Sequence, residues 1–157
     1  MFNQMLTAEF WHVHTDHIIF GILGFMSFIM LWKVLERFFF YRRLDITRYR
    51  NIHELNIDLE ENLTAIYTVG SNAPYVGLLG TVVGILLTFL DMGKAGGNID
   101  SAQIMIGLAL ALKATALGIL VAIPSVMFYN ALARKVEVKR LQFQSWQESQ
   151  EKRQSAL

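Results

Sequence analysis

The chain has 157 residues, 54% of them hydrophobic and only 17% charged, with a mean hydropathy of +0.37. That balance excludes an ordinary soluble domain, which carries more charge and less apolar surface at this length. Cysteine is absent, so disulfide frameworks and thiolate metal sites are excluded too, and the net charge of +1 informs only through where the 14 basic residues fall.

Residues 1–16 contain no Lys or Arg. Without a basic start or a small-residue cleavage site, the first apolar segment is expected to stay in the mature protein. His12, His14 and His17 with Asp16 form a candidate imidazole cluster for zinc or copper. Their spacing fits no standard site, and the neighbouring Trp11 suits a segment at headgroup level, so no metal and no cofactor is expected. The first span is residues 17–32, an uncharged apolar run ending at Trp32 and Lys33. Nothing breaks the helix before Arg43, so it is expected to run on through KVLERFFFYRR. Residues 33–72 are read as a helical cytoplasmic segment.

The second span is residues 73–92, with Ser71, Asn72 and Pro74 marking its start and Asp91 and Gly93 its end. A loop at 93–103 follows, turning at Gly96-Gly97-Asn98. The third span is residues 104–129. It carries Lys113 near its middle and Pro124 near its end, where a proline should bend the helix without stopping it. The tail, residues 130–157, shows Leu132, Val136, Phe143 and Trp146 at roughly helical spacing. It is expected to continue the third helix into water and to pack on residues 52–63.

Basic residues set the orientation. The link between spans one and two holds Lys33, Arg37, Arg42, Arg43, Arg48 and Arg50, and the tail holds six more, whereas the 93–103 link has only Lys94. Basic flanks stay in the cytoplasm, which predicts an all-α membrane protein of three spans, N-terminus outside and C-terminus inside. Residues 1–16 and 93–103 are then periplasmic. The basic segments are topology signals and contacts for anionic phospholipid, and no interleaved aromatic pattern argues for nucleic acid.

Lipid gives no reward for burying Leu against Leu, so close helix packing relies on small residues. Gly77, Gly80 or Thr81, Gly84 and Thr88 form such a stripe on span two. Gly107, Ala111, Ala114 or Thr115, Gly118, Ala122 and Ser125 form one on span three. Span one has only Gly21 and Gly24 and is placed toward lipid. The stripes serve helix packing inside one subunit, or their hydroxyls form a polar lining between helices. Span interiors contain no Asp or Glu. Threonine hydroxyls can order water or donate to a carboxylate but cannot hold an excess proton near pH 7. A proton path through this chain therefore needs an acid from a partner. Lys113 lies two residues, about 200°, from Thr115 and points away from it. It either snorkels to headgroups or carbonyls, contacts another subunit, or has a lowered pKa.

The residues also carry a resemblance. Ala73-Pro74, Gly77-Leu78-Leu79-Gly80-Thr81-Val82-Val83-Gly84-Ile85 and Phe89 resemble the second-span signature of the MotA/TolQ/ExbB proton-channel family. Ala114-Thr115-Ala116-Leu117-Gly118, Val121-Ala122-Ile123-Pro124 and Tyr129-Asn130 resemble its third-span signature. Short length, three spans and orientation look most like the ExbB branch. The resemblance implies a homopentamer around two copies of a one-span ExbD-like partner, whose transmembrane aspartate carries protons. The work would pass from the bacterial inner membrane through a TonB-like protein to outer-membrane transport such as iron uptake. It implies pore-lining roles for Thr81 and Thr115 and structural roles for Pro74 and Pro124; Thr88 is placed on the same path by its position on the span-two stripe. Many relatives have a glutamate where this chain has Leu110, and many lack Lys113, so that glutamate's role does not transfer.

A TolQ-like subunit of the Tol-Pal envelope system has the same physics and a different client. A flagellar stator role is disfavoured, because that branch has four spans and a larger cytoplasmic domain. A non-conducting scaffold would use the glycines for packing alone. No nucleophile–base pair, metal-ligand set or phosphate loop suggests an enzyme.

Overall fold

The computed structural model describes residues 2–94 and 101–155, with side-chain environments for 17–93, 101–102 and 104–155. His12, His14, Asp16 and the Gly96-Gly97-Asn98 turn lie outside the described side chains. Four α-helices account for nearly all of the described chain: α1 (Phe2–Arg43), α2 (Ile52–Glu60), α3 (Leu63–Lys94) and α4 (Ser101–Ser155). Three stretches, His17–Arg43, Ile52–Gly93 and Ile104–Ser155, are long and apolar enough to cross a membrane. The helix of span one runs on to Arg43 and that of span three to Ser155, as the unbroken sequence predicts.

One boundary differs from expectation. Pro74 does not open a helix; it sits inside α3, which starts at Leu63. Two features account for this. Gly70, one turn before the proline, lets α4 approach closely: a Cβ there would lie 3.2 Å from the Ser125 Cβ and 3.3 Å from the Val126 nitrogen. Leu63, Ile66 and Val69 are also buried, so tertiary packing holds the helix upstream of the proline. Pro124 likewise lies inside α4 without ending it. Beside it, buried Ser125 bonds back to the Val121 carbonyl at 2.8 Å.

The short elements between α1 and α3 are fixed by local chemistry. Asp45 caps a single 3-10 turn, Ile46–Arg48, accepting from the Thr47 amide at 3.0 Å and the Thr47 hydroxyl at 2.7 Å. These two bonds, the hydroxyl's first, hold the Asp45 carboxyl below its ordinary pKa. Asn51 caps α2 by accepting from the Glu54 amide at 2.8 Å. The sharp bend from α2 into α3 is made by Asn62, whose φ of 63° lies in the left-handed region that asparagine tolerates better than most residues.

The buried residues divide into two kinds of core. At the α2 end, Leu55, Leu59, Leu63, Ile66, Leu132, Val136 and Phe143 form one cluster with Met30 and Tyr41. This is the tail-on-α2 packing read from the periodicity of Leu132, Val136 and Phe143, and Trp146 packs at its edge. Within the spans the buried set is smaller: Ile19, Leu23, Ala73, Ala114 and Ala122. The contrast follows from the solvent. Water drives large side chains together, whereas lipid leaves only close backbone approach to hold helices. Span one shows most of its apolar surface, including Ile18, Ile22, Phe25 and Phe28. A Cβ added at Gly21 or Gly24 would touch nothing within 4 Å, so these two glycines are not packing devices within the chain.

Candidate functional site: a hydroxyl pair in a glycine seam

The small-residue stripes of α3 and α4 face each other in antiparallel register. A Cβ on Gly77 would lie 2.6 Å from the Ala114 carbonyl oxygen and 3.1 Å from the Gly118 Cα. One on Gly118 would lie 2.6 Å from the Ala73 carbonyl oxygen. Further along, Gly84 meets the Ala111 methyl, and Gly107 meets the Thr88 hydroxyl, at 2.8 and 2.7 Å from the added carbon. Gly80 faces Ala114 and also Ile19 of α1, so this is where span one joins the seam.

Two hydroxyls meet inside that seam. The Oγ1 atoms of Thr81 and Thr115 are 2.5 Å apart, and Thr81 Oγ1 is also 3.1 Å from the Ala111 carbonyl oxygen. Each hydroxyl has one proton to donate. The arrangement that satisfies both has Thr115 donating to Thr81, and Thr81 donating to the Ala111 carbonyl across the seam. Thr81 can instead donate back to the Gly77 carbonyl at 3.4 Å, so its proton has alternative acceptors on the two helices. Thr88 bonds to Gly84 of its own helix at 2.9 Å. Thr81 and Thr88 are buried, and Thr115 is half-buried.

Lys113 is not part of this group. It is exposed on the opposite side of α4, as its spacing from Thr115 predicts, beside exposed Leu110, Leu112 and Leu117. It makes no ion pair among the described residues. Pro74 and Pro124 flank the glycine contacts on their own helices rather than entering the hydroxyl pair. The candidate metal cluster has only His17 within the described side chains.

A second polar assembly, at the α2 end, was not legible in the sequence, where its arginines read as topology signals. Arg37 is 2% exposed. Its guanidinium donates to the Asp58 carbonyl at 2.8 Å and to the Glu61 carboxylate at 2.5 Å, and lies over the Phe40 ring. Glu36 accepts from Asn62 at 2.9 Å, so consecutive residues of α1 hold both sides of the α2–α3 bend. Arg140 ties α4 to α2 through Asn56 at 2.9 Å and Glu60 at 2.5 Å. Tyr41 donates to the Leu59 carbonyl at 2.6 Å. Only three-dimensional proximity separates Arg37 and Arg140 from the other basic residues.

Three long apolar helices with a polar junction at one end define a multi-pass α-helical membrane protein. The chain belongs to the MotA/TolQ/ExbB proton channel family, whose pattern matches residues 41–145 and so takes in the whole α3–α4 seam. The biopolymer transport protein ExbB of Helicobacter pylori strain J99 is 54% identical over 125 residues, 80% of this chain and 86% of the relative. The ExbB of Aquifex aeolicus is 50% identical over 130 residues, 83% of this chain and 87% of the relative. The Tol-Pal system protein TolQ of Pseudomonas aeruginosa is 42% identical over 80 residues, but only 51% of this chain and 34% of that one.

Proposed function

We propose that this chain is an ExbB-like subunit of a proton-driven motor in the bacterial inner membrane. With an ExbD-like one-span partner, it would energise TonB-dependent transport across the outer membrane. In this reading residues 1–16 and the 93–103 link lie in the periplasm, and the α2 end lies in the cytoplasm. Copies of the chain form a homopentamer, and Thr81, Thr115 and Thr88 mark the proton path. The observation that carries the proposal is the Thr81–Thr115 pair, two exchangeable hydroxyls in contact at 2.5 Å inside the glycine seam of α3 and α4. Hydroxyls relay or order protons but do not store them at neutral pH, so the charge carrier is a carboxylate on the partner's helix.

The test is proton flux in vesicles containing this chain and its one-span partner. Thr81→Val and Thr115→Val should each cut flux without changing subunit number. A non-conducting scaffold would tolerate both, and flux from this chain alone would refute the need for a partner acid. A TolQ-like role is the second reading, supported by the shorter TolQ match. The longer two-way coverage of the ExbB relatives favours the first, and the client that copurifies decides between them.

A further inference from the structure

Where α1 and α4 leave the apolar region, they line an open groove of about 290 Å³ with Tyr41, Arg42, Arg134, Lys135, Val138, Lys139 and Gln142. Four of these seven side chains are cationic, and no acid lines the groove. None of the four makes an ion pair among the described residues. The nearby carboxylate of Glu137 turns to Arg140 at 3.5 Å and lines the other side of α4. Lys135 and Arg42 both lie over the ring of Phe38, at 4.5 and 5.5 Å from its centroid. One aromatic side chain thus gathers cations from two helices.

Depth along the helices identifies the occupant. At about 1.5 Å per residue, twenty residues from His17 cross an apolar layer of roughly 30 Å. That places Arg42 about 8 Å beyond the layer. Arg134 and Lys135 lie a similar distance past Tyr129, the end of the third apolar run. Headgroups occupy roughly the first 5–8 Å outside the hydrocarbon. Arg42, Arg134 and Lys135 therefore lie at phosphate level, next to the exposed apolar surface of Leu35, Phe38 and Phe39, and Lys139 lines the same groove one helical turn further out.

From this juxtaposition we infer that the α1–α4 groove binds the phosphate headgroup of an anionic membrane lipid, with the acyl chains lying along the exposed α1 surface below it. Arg134 and Lys139 approach the phosphate from α4, and Arg42 from α1. Lys135 is held to Phe38 at the apolar edge. The inference rests on membrane insertion and not on the motor reading, so a failure of proton flux would leave it standing.

Native mass spectrometry of the full chain, extracted from vesicles of phosphatidylglycerol or phosphatidylcholine, tests it. The unsubstituted protein should retain phosphatidylglycerol and release phosphatidylcholine, a comparison that needs no variant to fold. Each cation near a headgroup contributes about fivefold in affinity, so Arg134→Gln with Lys139→Gln should weaken retention about 25-fold. Lys152→Gln with Arg153→Gln removes the same charge farther along the tail and should leave retention unchanged. Equal retention of both lipids, or equal loss in the two double variants, overturns the inference. So does displacement of the lipid by inorganic phosphate, which would make the groove a site for the free ion. A changed subunit number with unchanged lipid retention would make it a contact between copies.

Discussion

Gly118→Ala isolates the glycine seam from everything else the chain does. The added carbon would sit 2.6 Å from the Ala73 carbonyl oxygen and 3.1–3.2 Å from the Cα and nitrogen of Gly77, all backbone atoms that cannot rotate away. To regain an ordinary contact of 3.4 Å, α3 and α4 must part by about 0.8 Å at this point. Thr115 is one helical turn away, so a separation of that size would stretch its 2.5 Å bond to Thr81 past 3 Å. Overpacking of this kind costs about 1–3 kcal/mol. Gly21→Ala, on α1, meets nothing within 4 Å and is the matched control; better helix propensity makes it neutral or stabilising by up to about 1 kcal/mol. Unfolding of the purified protein in detergent by increasing SDS, monitored by circular dichroism, measures both. Proton flux should fall with Gly118→Ala and persist with Gly21→Ala. If the two variants unfold alike and conduct alike, close backbone approach does not hold the hydroxyl pair.

Four other perturbations follow from the same geometry. Arg37→Leu removes the clamp on the α2–α3 bend; because Glu61 is 64% exposed and rehydrates, the cost should be about 1–3 kcal/mol rather than that of a stranded buried ion. Limited proteolysis within residues 44–62 should then accelerate. Phe143→Ala empties a fully buried site and should destabilise the tail–α2 cluster by about 3–5 kcal/mol, read as earlier loss of the tail in a urea titration. Lys113→Met should leave unfolding of the single chain within about 0.5 kcal/mol, since the lysine has no ion pair among the described residues. Loss of partner copurification would then assign it to a contact between subunits, and full transport would assign it to snorkelling. For pH, burial first and then the bond to Asp58 and its charge push the Tyr49 phenol up from 10.0 to about 12. Its contribution to stability is full below pH 10 and is lost as pH rises toward 12. The ultraviolet difference between the native protein and Tyr49→Phe should show phenolate forming near 12, and a transition near 10 would show that the phenol is not held.

Periodicity and charge placement were enough to read the three spans, the unbroken run of α1 to Arg43 and the tail's packing through Leu132, Val136 and Phe143. Each is a signal repeated over many residues. Helix over residues 63–72 is legible, but its continuity through Pro74 is not, because Pro74 looks like a first-turn proline and no local rule reports the contacts with α4 that hold one helix across it. Small-residue stripes were visible in the sequence, and so was the departure of Lys113 from them. That Thr81 and Thr115 would touch each other was not, because it depends on the register between two helices separated by a loop. Arg37 and Arg140 were hidden for a similar reason: a buried clamp and a topology signal use the same residue type.

The length of α4 adds a mechanical consequence. This single helix runs from Ser101 to Ser155, passing the Thr81–Thr115 contact and the Phe143 cluster without interruption. At about 1.5 Å per residue, its last 26 residues reach some 40 Å past Tyr129. A rod of that length swings its tip by about 3.5 Å for each ~5° of tilt at its base, by geometry from the helical rise. Whatever rocks the helix within the bilayer is thus amplified into a stroke at the far end. Arg140 and Phe143 carry α2 and the bend it sits on along with that stroke.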